Sequence, residues 1–172
     1  MPALDDPQTR TAVDALRAGA LRWLGGGVVA VVLGVLLGAA VVRIVDSGGT
    51  RPPFAGLMVV ALVAGGVAVG LAGLGSLLRV RRWTAGLART EWRTGVLRIA
   101  GPAVLQVEPL GFDEFTDDPL RLRLVSTAVW RTRAVQQLNG ADVRYAEVGR
   151  QEWVLTADGA GTLYGARVAG RR

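Results

Sequence analysis

Four carboxylates fall within six residues, Asp113, Glu114, Asp117 and Asp118, the densest gathering of chemically able side chains in this 172-residue chain. Carboxylate oxygens are the ligands that Ca²⁺ and Mg²⁺ take. The spacing is not that of an EF-hand loop, however, and no distant Glu completes the set. An exposed acidic loop is the plainer reading, facing solvent, Arg121 and Arg123, or the Arg-rich stretch after residue 78. Elsewhere the chemistry is sparse. There is no His and no Cys, which removes the commonest general base, the thiolate nucleophile and the usual zinc ligands. All 20 cationic side chains are Arg, so neither Schiff-base chemistry nor a P-loop lysine is available. The three serines, Ser47, Ser76 and Ser126, have no His to activate them. An enzyme built on this chain would have carboxylates alone to work with. The expectation is a protein that is not an enzyme, with no catalytic residue, bound metal or cofactor.

The basic groups invite a different reading. The net charge is +6, unevenly spread. Residues 79–100 carry six Arg against one Glu, residues 101–120 five acids and no Arg, and residues 121–144 five Arg against one Asp. Such a balance is compatible with nucleic-acid binding. Arg beside the ends of apolar segments is more simply a topology signal and a contact for anionic lipid headgroups. No nucleic-acid partner is expected. The exclusive use of Arg, with abundant Ala, Gly and Val, reads as the codon bias of a GC-rich genome.

Two segments must position these charges. Trp23 to Val42 is twenty residues without a charge, bracketed by Arg22 and Arg43. At 1.5 Å per residue that run covers about 30 Å, the thickness of a bilayer's hydrocarbon core. Phe54 to Leu78 is a second uncharged run of twenty-five residues. In lipid the backbone must satisfy its own hydrogen bonds, so both runs are expected to be helices despite their Gly and β-branched content. The first run exceeds a signal peptide's apolar region and follows a tail of twenty-two residues, although Gly38-Ala39-Ala40 offers small residues for a peptidase.

The Arg count sets the orientation. Arg10, Arg17 and Arg22 precede the first span, and Arg79, Arg81, Arg82, Arg89 and Arg93 follow the second. The connecting loop has only Arg43 and Arg51. Eight against two places both termini in the cytoplasm. Arg22, Trp23, Arg79, Arg81, Arg82 and Trp83 are the expected membrane-interface residues, the two indoles at headgroup level. Small residues recur at four-residue spacing: Ala30, Gly34 and Gly38 in the first span, Gly66 and Gly70 in the second. Such ridges let helices pack closely, on each other or in a homo-oligomer. Neither span contains a charge, which argues against a transporter or channel core. The tail opens with Asp6-Pro7, an N-cap and a first-turn Pro. Its helix either lies on the cytoplasmic face or runs on into the first span.

After residue 88 the pattern changes to alternation. Leu120-Arg-Leu-Arg-Leu-Val125 puts Leu on one face and Arg on the other, the mark of a half-buried strand. Residues 92–99, 103–108, 143–145, 153–155 and 162–168 are further strand candidates. Asn139-Gly140 and Ala157-Asp158-Gly159 mark turns. Thr127–Leu138 reads equally as helix or strand. Trp92, Trp130 and Trp153 are candidate core residues, with ligand stacking as the alternative. The organisation expected is a tail (1–22), a span (23–45), an external loop (46–53), a second span (54–80) and a cytoplasmic domain (81–172). In fold class this is a membrane helical hairpin followed by a small β-rich domain, all-β or α+β.

The order of two spans, an Arg-rich link into Arg89-Thr-Glu-Trp92, and the closing stretch Trp153-Val-Leu-Thr-Ala-Asp-Gly-Ala-Gly-Thr-Leu-Tyr-Gly-Ala-Arg167 resembles small two-helix membrane proteins of GC-rich bacteria. The resemblance covers most of the chain, implies a layout, and brings no activity or site residue. The expected function is that of a multi-pass plasma-membrane protein whose cytoplasmic domain binds a protein or a lipid headgroup. The alternative is an accessory subunit of a transporter or envelope assembly that acts through its helices.

Overall fold

The computed structural model describes residues 1–50, 53–101, 103–113, 118–125 and 129–169, without the side chains of 129–131. Arg51, Glu114, Asp117, Ser126 and the Trp130 ring therefore lie outside the described residues. The chain forms two compact units, one of residues 15–80 and one that joins residues 1–14 to residues 81–172.

The first unit is a helical pair. Helix α1 (Pro7–Asp46) continues without a break from the tail into the first apolar run, and α2 (Ala55–Leu87) carries the second. Both are long and apolar enough to cross a membrane. Their pairing follows a glycine seam. A Cβ on Gly27 would stand 2.5 Å from the Gly70 nitrogen, one on Gly73 2.5 Å from the Leu24 nitrogen, and one on Gly66 2.9 Å from the Val31 nitrogen. Gly34 abuts Val63 and Gly38 abuts Val59. Positions rise along one helix as they fall along the other, so the pair is antiparallel. The steps alternate between three and four residues, the heptad spacing that keeps a seam facing its partner.

The second unit is a closed, wholly antiparallel six-stranded barrel in the order β1-β2-β3-β6-β5-β4. Its strands are β1 (Arg93–Gly101), β2 (Val104–Pro109), β3 (Leu120–Leu124), β4 (Asp142–Gly149), β5 (Glu152–Thr156) and β6 (Tyr164–Val168). Helix α3 (Val129–Gln136) links β3 to β4 and resolves the ambiguous stretch in favour of helix. The β3 alternation works as its sequence implies: Leu122 and Leu124 point into the barrel while Arg121 and Arg123 are exposed. Leu97, Leu105, Val107, Val143, Tyr145, Trp153, Leu155, Tyr164 and Ala166 complete the interior, and Val135 of α3 packs into it. Trp153 is thus a core residue, its ring 5.9 Å from that of Tyr145.

A second apolar layer lies outside the barrel. Val154 points away from the interior yet is 0% exposed, and Ala146 and Leu163 are buried too. The end of α2 covers this wall. Trp83 lies against Gly165 so closely that a Cβ there would have no room, and Gly86 lies against Val148. Strand β5 is therefore buried on both faces, which explains its unbroken Trp-Val-Leu-Thr run.

Candidate functional site

Large apolar side chains line the barrel interior, and beside α3 a space of about 10 Å³ lies between Ile99, Leu105, Leu124 and Val135. One shallow surface pocket of about 310 Å³ is lined by Thr90, Glu91, Trp92, Arg93 and Glu147. Its two carboxylates lack a third, and no group of three potential metal ligands converges among the described residues. Asp113 and Asp118 of the acidic stretch stand at the ends of the undescribed residues 114–117.

The pocket borders a polar clamp that fastens the first residues of the chain to the barrel. The Ala3 amide donates to the Thr90 carbonyl at 2.7 Å, and Pro2 forms a β-bridge with Glu91. The Met1 amino group pairs with Glu91, whose carboxyl is held below its ordinary pKa by that contact. The Trp92 indole N–H, in turn, is shared between the Ala3 carbonyl and the Thr9 hydroxyl, each at 3.1 Å. Trp92 is accordingly half-buried at the clamp and outside the barrel interior.

Asp6 caps α1. Its Oδ2 accepts from the Thr9 amide at 3.0 Å and the Thr9 hydroxyl at 2.7 Å, which satisfies one of the helix's free N–H groups. Arg144 of β4 closes the clamp. Its guanidinium reaches Asp6 at 3.4 Å, Gln8 at 2.8 Å and Asp158 at 3.0 Å, and lies 5.8 Å from the Trp92 ring centroid. Gln8 also donates to the Ala157 carbonyl at 3.0 Å. The Asp6 carboxyl sits below its ordinary pKa, chiefly through the Thr9 hydroxyl; partial burial opposes the shift, and the Thr9 amide and the Arg144 charge add to it. This assembly can hold the first residues of the chain to the barrel, but it presents no nucleophile and no free acid–base pair.

The outer wall of β1, β2, β3 and β6 is charged. Arg98 is held by Glu108 at 2.8 Å. Arg121, Arg123 and Arg167 are exposed and have no ion-pair partner among the described residues. Arg123 and Arg167 are directly opposed across β3 and β6.

The residues named from sequence are distributed as follows. Arg22, Arg79, Arg81 and Arg82 are exposed, and Trp23 is 60% exposed. Trp83 is 4% exposed, its ring enclosed against Gly165. Gly34, Gly66 and Gly70 stand on the helix seam, a Cβ added at Gly38 would be 3.5 Å from Val59, and Ala30 is half-buried beside Val31. Gly27 and Gly73, with the closest approaches, are not among the residues chosen by four-residue spacing. A heptad count would have found them. The clamp has no sequence signal beyond the Asp6-Pro7 cap, because its partners are far apart in the chain. No protein-family model, no curated protein sequence and no solved structure matches this chain.

Proposed function

We propose that this is a non-enzymatic, multi-pass protein of the bacterial plasma membrane that presents a small cytoplasmic barrel for interaction with a protein or a lipid headgroup. One observation carries the reading. Residues 1–14 and 81–169 belong to the same compact unit, so the apolar chain between them leaves and returns, and two spans satisfy that return. The Arg count then assigns the shared side to the cytoplasm. A filled barrel with a charged exterior supports work done at a surface rather than in a pocket. The exposed apolar faces of α1 and α2, among them Val28, Val32, Leu36, Leu57, Val60 and Leu71, suit lipid chains.

The accessory-subunit reading drew on the small-residue ridges. Gly27, Gly34, Gly66 and Gly73 instead meet the neighbouring helix of the same chain, which leaves that seam unavailable to another protein. Fractionation with alkaline carbonate tests the anchor. The full chain should stay with the membrane pellet and enter solution only with detergent; release by carbonate alone would contradict two spans.

A further inference from the structure

We infer that the outward wall of β3 and β6, through Arg121, Arg123 and Arg167, docks on the phosphates of anionic phospholipid headgroups. The inference rests on the membrane-anchored reading and names the ligand of its exposed surface. Cross-strand like charges disfavour a sheet, and Arg123 and Arg167 face each other directly. On the neighbouring strands Arg98 of β1 is neutralised by Glu108 of β2, whereas Arg121, Arg123 and Arg167 have no such carboxylate among the described residues. Glu152 stands opposite Arg167 from β5 without forming an ion pair with it. A surface that keeps three exposed guanidiniums together, two of them in register, is complementary to an array of anions.

Three observations select lipid as the source of those anions. First, the wall continues toward α2. Trp83 lies on Gly165, and Arg167 is the next outward residue of β6, about 7 Å along the strand. Exposed Arg81 and Arg82 immediately precede Trp83, where the second apolar run has just ended. Second, the barrel is closed, so no free strand edge offers the backbone pairing by which an extended peptide adds to a sheet. Third, the outward positions around the three Arg are Val104, Gln106 and Glu152, with no aromatic ring on which bases would stack.

The chain lacks Cys, so single labels report on the full-length protein. Gln106→Cys, across from Arg121, would carry a fluorophore beside the patch, and exposed Asp142→Cys would carry one on β4. Each is reconstituted in nanodiscs of phosphatidylcholine alone, or with a third phosphatidylglycerol, with a quencher on the headgroups. Quenching at residue 106 should appear with phosphatidylglycerol, fade as salt rises, and exceed that at residue 142. In the Arg121→Gln, Arg123→Gln, Arg167→Gln variant the docked-to-free ratio should fall by about fivefold for each charge removed. Its melting temperature should not fall, because a like-charge pair has gone. Equal quenching in both discs, or an unaffected variant that still melts normally, would overturn the inference. So would a label at residue 106 that ignores lipid charge yet is shielded by added polyglutamate, which would assign the wall to an acidic protein. Co-elution with the discs reports the anchor separately. A chain that co-elutes without charge-dependent quenching contradicts docking alone, and one that stays out of the discs contradicts the anchor.

Discussion

Arg144 is the residue on which the junction between the chain's beginning and the barrel depends. It reaches Asp6, Gln8 and Asp158 and lies over Trp92, so its removal strands several partly buried polar groups at once. Arg144→Ala should cost about 1–3 kcal/mol, read as a lower melting temperature together with faster amide exchange in residues 1–14. The pH dependence follows from Asp6. Its pKa is lowered on folding, so its contribution is complete above the ordinary carboxylate value, near 4, and is lost as pH falls through the lowered value. Glu91 is lowered as well and titrates in the same acid range, so it contributes to the same loss. Exchange protection of residues 1–14 should therefore collapse on acidification before that of the barrel interior. Asp6→Ala should weaken the cap by about 1 kcal/mol and flatten part of this pH response. The cap itself was legible from Asp6-Pro7 because it is local. The clamp was not, because Arg144 meets Gln8 across 136 positions of sequence.

At the scale of elements, the helix seam makes the sharpest distinction. Gly27 and Gly73 face backbone atoms that cannot move aside without separating the helices, while Gly25 and Gly75 have nothing within 4 Å of an added Cβ. Gly27→Ala or Gly73→Ala should destabilise the pair by about 1–3 kcal/mol, and Gly25→Ala or Gly75→Ala should leave it unchanged. Thermal unfolding in mild detergent, followed by circular dichroism, separates the two pairs. Gly165 plays the same part in the barrel. Gly165→Ala would drive a methyl into the Trp83 ring and should raise that indole's exposure to an aqueous quencher. Strands were readable from their alternation, since one face meets the interior. Closure was not, because the pairing of β3 with β6 depends on residues more than forty positions apart. Trp83 shows what a local reading leaves out. An amphipathic ring beside Arg81 and Arg82 has the character of a headgroup anchor, and only a distant glycine reveals the notch that encloses it.

For the whole molecule, the first fourteen residues and the barrel form a single unit, and in the proposed topology that unit lies on one side of the membrane. Both long apolar helices were visible in the sequence as uncharged runs, and the side proposed for the barrel rests on the Arg distribution. Thiol accessibility measures that side directly, because every introduced Cys is the chain's only one. Ser47→Cys lies in the exposed loop between α1 and α2, and Arg150→Cys lies in the exposed turn between β4 and β5. Treated with a membrane-impermeant maleimide, intact cells should label Ser47→Cys and leave Arg150→Cys unreacted until the membrane is opened. Labelling of Arg150→Cys in intact cells, with Ser47→Cys protected, would place the barrel outside and contradict the cytoplasmic assignment.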